Sequence, residues 1–298
     1  VGQTEFQANT TARYNVSIGS YASNRVIGQA NIHIGYKAGM NASGSNNTFM
    51  GYEAGLGGTT SAPYSSGQSN TALGYQALKS FTTATQNVAV GYHALTDVTT
   101  GGGNTAVGMY AGQNFTTATN NDAFGYNALG SYTTGGRNVA IGQSALSSLT
   151  QTGNTDNVAV GHAAGRNLST TSTTNYVAEN VVIGGLANAG DAGNGADALN
   201  NVYIGARSGY VATTGKNNTL VGRRTGLALT TGNSNTFLGA NAGDTITTGD
   251  NNVCIGDDSD VSGNAAQNQI VIGEGTTGTG NNETVIGNSS QTKVSFGG

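Results

Sequence analysis

The chain has 298 residues, of which 49 are Gly and one is Pro; only 9% are charged, and the formal net charge is −4. Because a disordered chain usually carries more charge and more Pro, this composition favours a regularly paired backbone over disorder. The eleven Lys and Arg residues form no basic stripe, and no apolar run approaches about 18 residues, so we expect neither nucleic-acid binding nor membrane insertion. The single cysteine, Cys254, excludes an internal disulfide.

One short motif recurs along the chain, and it consists of Asn, three mostly apolar or β-branched residues, and Gly. In chain order, its copies begin at Asn15, Asn31, Asn47, Asn70, Asn87, Asn104, Asn121, Asn138, Asn157, Asn180, Asn201, Asn218, Asn235, Asn252, Gln269 and Glu283. The repeat period is about 17 residues, as from Asn70 to Asn87. We number the positions of each copy from its first residue, so that the Gly occupies position five.

Each motif position has its own chemistry. Position two is mostly Val, Ile or Thr, which favour strands, and position four is always large and apolar. The Gly at position five permits a positive φ, so the chain can turn sharply. A short second segment such as YQAL follows, and then a turn rich in Thr, Gly and Asn.

A period of this length, with two short strands and two turns, describes one coil of a parallel β-solenoid. We therefore predict an all-β fold, a β-roll of about 16 coils, with the Asn of position one stacked from coil to coil. At about 4.8 Å a coil, the rod would be roughly 75–80 Å long.

Position three changes in size along the chain. It is small in the middle copies, at Ala72, Ala89, Ala106, Ala123, Ala140 and Ala159. From Val182 onward it is mostly bulky, as at Tyr203, Leu220, Phe237 and Val271. We place a boundary here, between residues 1–179 and 180–298 of one continuous rod. Because Val1 and Gly2 resemble the end of another copy, we expect the chain to be a fragment of a longer repeat protein.

The strand has two apolar faces. In NVAVG, Val88 and Val90 point one way and Ala89 points the other. A coil with so short a period is too thin to bury both faces by itself. We therefore predict that copies of the chain associate, intertwined or side by side, with cyclic symmetry.

The strings NVAVG, NVAIG and NTAVG resemble the repeats of trimeric autotransporter adhesin heads, which form a YadA-like left-handed parallel β-roll. The chain is more similar to the NTA(V/I)GYxAL…TTG arrays of phage tail-fibre proteins, because its period is longer than that of the adhesin heads. The final TVIGNSSQTKVSFGG is similar to the junction before a C-terminal chaperone that is removed after trimerisation. The resemblance implies a homotrimer, an extracellular or virion-surface location, and a glycan or protein receptor on a host surface.

Few residues point to chemistry. The GEGTTG string at 273–278 matches a nucleotide-binding pattern, but another repeat follows where a helix is required, so we interpret it as a turn. Asp258, Asp260 and Ser262 match the start of a calcium loop, although Gln269 stands where a Glu ligand is expected. Calcium is therefore a weak candidate, and we predict no other cofactor and no catalytic residues.

Three histidines, His33, His93 and His162, share no spacing with Cys254, and we interpret them as isolated or packed side chains. Cys254 occupies position three, where we expect a small buried side chain.

Two features are candidates for receptor or glycan binding. Tyrosines recur at position six and either form an aromatic surface for sugars or pack between coils, and we favour packing. They are Tyr36, Tyr52, Tyr75, Tyr92 and Tyr126. The longer connections at 53–69, 166–179 and 185–200 are loops on a rigid scaffold. Their candidate binding residues are Tyr64, Asn167, Tyr176, Asp191 and Asp197.

These observations favour a structural, adhesive shaft of a trimeric extracellular fibre, foremost a phage tail fibre or receptor-binding fibre. A bacterial cell-surface adhesin or extracellular filament subunit is the alternative. The recurrent Thr-Thr pairs raise an ice-binding solenoid as a third hypothesis, which their irregular context disfavours. An enzyme is the least favoured class, because no acid–base pair clusters with a nucleophile.

Overall fold

The computed structural model describes residues 13–25, 28–59, 63–150, 153, 155–166, 168, 177–190, 198–291 and 293–295. These residues contain sixteen three-residue strands and no helix, and they wind as a parallel β-solenoid. The predicted fold class is therefore confirmed. The chain divides into two compact units, Val1–Asn154 and Thr155–Gly298. The boundary that we predicted at residue 179 from the size of position three remains a prediction.

The first unit contains β1 (Val16–Ile18), β2 (Ile32–Ile34), β3 (Thr48–Met50), β4 (Thr71–Leu73), β5 (Val88–Val90), β6 (Thr105–Val107), β7 (Asp122–Phe124) and β8 (Val139–Ile141). The second contains β9 (Val158–Val160), β10 (Val181–Ile183), β11 (Val202–Ile204), β12 (Thr219–Val221), β13 (Thr236–Leu238), β14 (Val253–Ile255), β15 (Ile270–Ile272) and β16 (Thr284–Ile286). Within each unit, every strand pairs in parallel with the next, so equal motif positions face each other. We give each coil the number of its strand.

The interior of each coil is filled by side chains from position three, position eight and, in many coils, positions nine and twelve. Position three is buried in β2 through β15, whereas positions two and four of the same strands are not. Position eight is small and buried in every coil from Ala22 to Thr276. The prediction that one strand face lines the coil interior is confirmed.

Positions three and nine exchange bulk. Where position three is Ala, position nine is Leu in four of six copies, the pairs Ala72/Leu78, Ala89/Leu95, Ala123/Leu129 and Ala140/Leu146; in the other two, Ala106/Gly112 and Ala159/Gly165, it is Gly. Where position three is large, position nine is Gly, as in His33/Gly39, Phe49/Gly55, Tyr203/Gly209, Leu220/Gly226 and Phe237/Gly243. A Cβ on Gly55 would lie 2.4 Å from the ring of Phe49, so the two positions compete for one space. In coils with a bulky residue at position three, that side chain therefore fills the space that a Leu at position nine fills in other coils.

The second segment of the motif forms turns, so our expectation of a second strand in each coil is wrong. Positions seven and nine have left-handed backbone angles even without Gly, for example φ of 52° at Gln76 and 51° at Leu78. The residue before the motif Asn does the same, with φ of 59° at Gln86. An extended strand cannot contain such angles. Each costs about 1–2 kcal/mol, which hydrogen bonds between coils help to offset, such as Leu78 N–H to Ala94 O at 2.9 Å.

Two features of the fold require Gly at position five: a positive φ angle and the close approach of the next coil. At Gly91 φ is 133°, which L side chains rarely adopt, and a Cβ there would lie 2.6 Å from the carbonyl oxygen of Gly108 in the next coil. The predicted sharp turn after the strand is confirmed, and the stacking of these glycines holds neighbouring backbones close together.

Position one forms a buried amide ladder, as predicted. In coil 5, the Asn87 backbone N–H and its Nδ2 both donate to Oδ1 of Asn70, at 3.0 and 3.1 Å. Nδ2 also donates to the carbonyl oxygen of Gly101, at 3.0 Å, and so joins the strand to the turn of its own coil. The ladder ends at Gln269, whose backbone N–H donates to Oδ1 of Asn252 at 3.1 Å.

Candidate functional site

The outward side of the strands, formed by positions two and four, is a surface that repeats in every coil, and we call it the outward face. Position four is apolar in all sixteen strands. It stays accessible to water, and Ile18 and Leu238 each expose 49% of their surface. The inward position is less strictly apolar, since it includes Ser17 and His33. The fold therefore presents a continuous row of large apolar side chains to water along each unit.

The tyrosines at position six form a stack beside the outward face of the first unit. The rings of Tyr36, Tyr52, Tyr75 and Tyr92 follow one another with centroids 5.1 to 5.2 Å apart and interplanar angles of 24° or less. Met109 interrupts the row, and Tyr110 at position seven bridges to Tyr126 through edge contacts. Because the stacked rings cover each other's faces, this arrangement supports our interpretation of packing between coils over sugar stacking.

Of the predicted receptor-binding residues, only Tyr64 lies in the described part of the chain. Its ring is half-buried and lies 5.3 Å from the Arg25 guanidinium carbon, and its backbone carbonyl accepts a hydrogen bond from the Ser43 hydroxyl at 3.2 Å. Asn167, Tyr176, Asp191 and Asp197 lie outside the described residues, so their role stays a prediction.

The residues of the weak calcium candidate form hydrogen bonds within the protein. Asp258 accepts one from Asn241 Nδ2 at 2.7 Å, and Asp260 accepts one from the backbone N–H of the next residue at 2.8 Å. The Ser262 hydroxyl accepts one from Gln269 Nε2 at 2.6 Å. Among the described residues, no group of three or more His, Cys, Asp or Glu side chains could hold a metal ion. Calcium therefore remains a prediction without support from this geometry.

The three histidines have separate environments. His33 is buried in position three, where it bonds the Ser23 hydroxyl at 2.8 Å and stacks on Phe49 with centroids 4.9 Å apart. Burial lowers the pKa of His33 to about 3, so the ring is neutral at physiological pH. His93 bonds the Thr96 hydroxyl at 3.1 Å, and His162 is exposed in the second unit. The structure does not bring these rings together.

Two other features have structural roles, as predicted. Cys254 is fully buried in position three, where burial, followed by the charge of Asp260, raises its thiol pKa to about 12. The GEGTTG segment is a turn after β15, and the next element is β16. Neither arrangement provides a reactive thiol or a phosphate cradle.

Sequence reasoning missed a groove lined by arginines in the second unit. Its volume is about 320 Å³, and it is lined by His162, Gly185, Leu186, Ala206, Arg207, Arg223 and Arg224. The signal was available in the sequence, because Arg207 and Arg224 both occupy position seven, in consecutive copies of the motif. The number of basic residues along the chain does not reveal this cluster, because only their register in the repeat shows which of them lie side by side.

Comparison with protein-family models and with curated proteins finds no match to this chain. Within the described residues, no helix is long and apolar enough to cross a membrane.

Proposed function

We propose that this chain is a structural, non-catalytic and adhesive shaft of a homotrimeric extracellular fibre, of the phage tail-fibre or receptor-binding-fibre kind. The observation that carries the proposal is the outward face, which is apolar at position four in every coil. A partner that covers this face removes the row of apolar side chains from water. A second copy of the chain has the same repeat spacing and is the simplest such partner.

The size of the outward face supports association. Eight coils at about 4.8 Å give a strip roughly 35–40 Å long in one unit, and a width of about 10 Å makes its area several hundred Å². The position-four row of this strip is apolar throughout, whereas position two mixes Val and Ile with Thr and with Asp122. Extended rows of exposed apolar side chains on a soluble protein usually mark an interaction site. The low charge of the chain also favours close contact between copies, because few charges would have to be desolvated.

The proposed trimeric state and the biological setting are based on the resemblance to tail-fibre and adhesin repeats. In this proposal the shaft lies outside the cell or on a virion, and it displays loops and surface grooves toward a glycan or protein receptor on a host. A bacterial cell-surface adhesin or filament subunit is the alternative, because it too would be a rod that associates through an apolar face. The two settings differ in the domains to which the shaft would be joined.

Charged substitutions on the outward face test the location of the interface. Leu73 and Leu238 are exposed position-four residues, so L73K/L238K should leave each coil folded while placing charges in the contact. The matched control, T100K/T231K, adds the same charges at exposed turn residues. Sedimentation velocity should show that the first variant dissociates and that the control associates like the native chain. Equal association of both variants would exclude the outward face as the interface.

A specific observation keeps ice binding as a second candidate. Thr83, Thr100, Thr117 and Thr134 form an exposed column with one residue in each of four successive coils. The Thr that precedes each of the first three members donates its hydroxyl to a carbonyl of the next coil, as Thr82 does to the Thr99 carbonyl at 2.9 Å. The column is only one residue wide, so it ranks below the fibre. A thermal-hysteresis assay would detect this activity, and a chain without hysteresis would eliminate it.

A further inference from the structure

The arginine-lined groove lies at a corner that the first unit fills with aromatic rings. Position six carries the stacked tyrosines in coils 2 to 5, but it carries His162, Gly185, Ala206 and Arg223 in coils 9 to 12. Gly185 and Ala206 are too small to fill the corner. The groove is therefore produced by two small residues in the row where the repeat otherwise places a ring.

Positive charge is concentrated in this groove. It contains three of the eleven basic residues of the chain, Arg207, Arg223 and Arg224. Arg207 and Arg224 occupy the same position of paired coils, so their Cα atoms are about 4.8 Å apart. None of the three forms an ion pair with a described carboxylate, although Arg224 interacts electrostatically with Asp244.

One of the three arginines, Arg224, has unsatisfied hydrogen-bonding capacity. The Nε atom of Arg224 is buried and has no hydrogen-bond partner. Arg207 is held from one side by the ring of Tyr210, whose centroid is 5.8 Å from the guanidinium carbon. Like charges this close repel each other, and a buried N–H without an acceptor costs about 1–3 kcal/mol. An anion in the groove would relieve the repulsion between the guanidinium charges.

The shape of the groove limits the class of anion. Guanidinium groups bind carboxylate and phosphate oxygens through paired N–H donors. Leu186 and Ala206 add an apolar surface that can pack against the C–H groups of a sugar ring. The volume of about 320 Å³ lies near the lower end of the range for small-molecule sites, roughly 300–1,000 Å³. A single charged sugar residue fits these features better than a flat protein surface does.

We propose that this groove binds an anionic saccharide through a carboxylate or phosphate group held by Arg207, Arg223 and Arg224. The inference rests on the adhesive part of the proposed function, since it names the chemical class of the receptor group.

Binding is tested by calorimetric titration of the full chain with three probes. Trigalacturonic acid presents carboxylates, tripolyphosphate presents phosphates, and maltotriose is a neutral control. We expect at least one anionic probe to bind, more weakly at high salt, and maltotriose not to bind. Preference for trigalacturonic acid would identify a carboxylate sugar, and preference for tripolyphosphate a phosphorylated one. Failure of both anions to bind the folded chain, or equal binding of maltotriose, would overturn the inference.

Three variants assign the binding to the groove. R207A/R223A removes two of the guanidinium groups and should weaken binding at least about tenfold. G185Y rebuilds the ring that coils 2 to 5 carry, and it should block the groove without strain, because no atom lies within 4 Å of a Cβ at Gly185. The control K216A removes a basic residue from another turn of coil 11 and should change affinity less than about twofold. Undiminished binding by both groove variants would refute the assignment.

The same samples separate this inference from the proposed function. A monomeric chain that binds the anionic probe would support the groove and contradict the fibre. A trimeric chain that binds neither anion would contradict only the groove.

Discussion

The buried Asn of position one bonds to the preceding coil, to the following coil and to the turn of its own coil. The sequence alone reveals only part of this network. The spacing of the Asn residues predicted that they stack. It did not reveal the additional bond from each Nδ2 to a turn carbonyl of its own coil, as from Asn104 to Ala118 at 2.7 Å. That bond depends on where the turn places the carbonyl, which the composition of a Thr- and Gly-rich turn does not specify.

Replacement of one ladder residue should destabilise the whole unit. In N104A the backbone N–H and Nδ2 of Asn121 lose their shared acceptor, and the Ala118 carbonyl loses a donor. Because all these groups are buried, we expect a loss of about 3 kcal/mol or more in the free energy of unfolding, measured by denaturant titration. Asn114 is exposed, and N114A should change stability by less than about 0.5 kcal/mol. Similar losses in the two variants would show that the ladder has no special role.

Burial of His33 predicts a dependence of stability on pH. Its pKa is about 3 in the folded chain, below the usual value of 6.5, so the unfolded state binds the proton more readily. The neutral ring therefore stabilises the fold fully above about pH 6.5, and this contribution decreases as the pH falls toward 3. The decrease is about 4 kcal/mol between pH 7 and pH 3.5.

The variant H33F isolates this contribution. A Phe should fit, because coil 3 already pairs Phe49 with Gly55 as coil 2 pairs His33 with Gly39. Unfolding measured across this pH range should show a flatter profile for H33F than for the native chain, whereas H162F, at an exposed site, should follow the native profile. A native profile for H33F would mean that His33 is not the group that titrates.

At the scale of a single coil, the residue pattern correctly predicted the strand but not the conformation of the segment that follows it. Alternation within the strand correctly predicted that position three lies on the face opposite to positions two and four, but it did not predict which of the two faces lines the interior. The second segment was misread as a strand, because left-handed angles at Gln76 and Leu78 have no signature in residue type. Those angles are imposed by packing against the neighbouring coils, so they become visible only in the folded chain.

The exchange of bulk between positions three and nine predicts strong coupling in coil 13. F237A should leave a cavity and cost about 3–5 kcal/mol. G243L should overpack, because a Cβ at Gly243 would lie 2.5 Å from the Phe237 ring. The double variant reproduces the Ala89/Leu95 pair of coil 5, whose Leu has φ of 50° against 60° at Gly243. A double-mutant cycle should give a coupling energy of at least about 2 kcal/mol, and additive losses would contradict the shared space.

For the whole molecule, the repeat predicted the fold class but not the surface chemistry. Regular spacing determines how strands pair, so the solenoid could be predicted from the repeated motif and its period. The groove depends instead on which side chain each coil places at a corner, as Gly185 and Arg223 show. Several predicted binding residues, such as Asn167 and Asp191, belong to the longer connections of the sequence, outside the described residues, where the spacing of the repeat makes no prediction.

The central claim is that the outward face is covered by other copies of the same chain. Light scattering after size exclusion measures this directly through the mass of the native chain in solution. The account predicts a mass near three times 29.7 kDa. A mass equal to that of one chain would show that each solenoid remains stable with its outward face in water, and it would contradict the fibre.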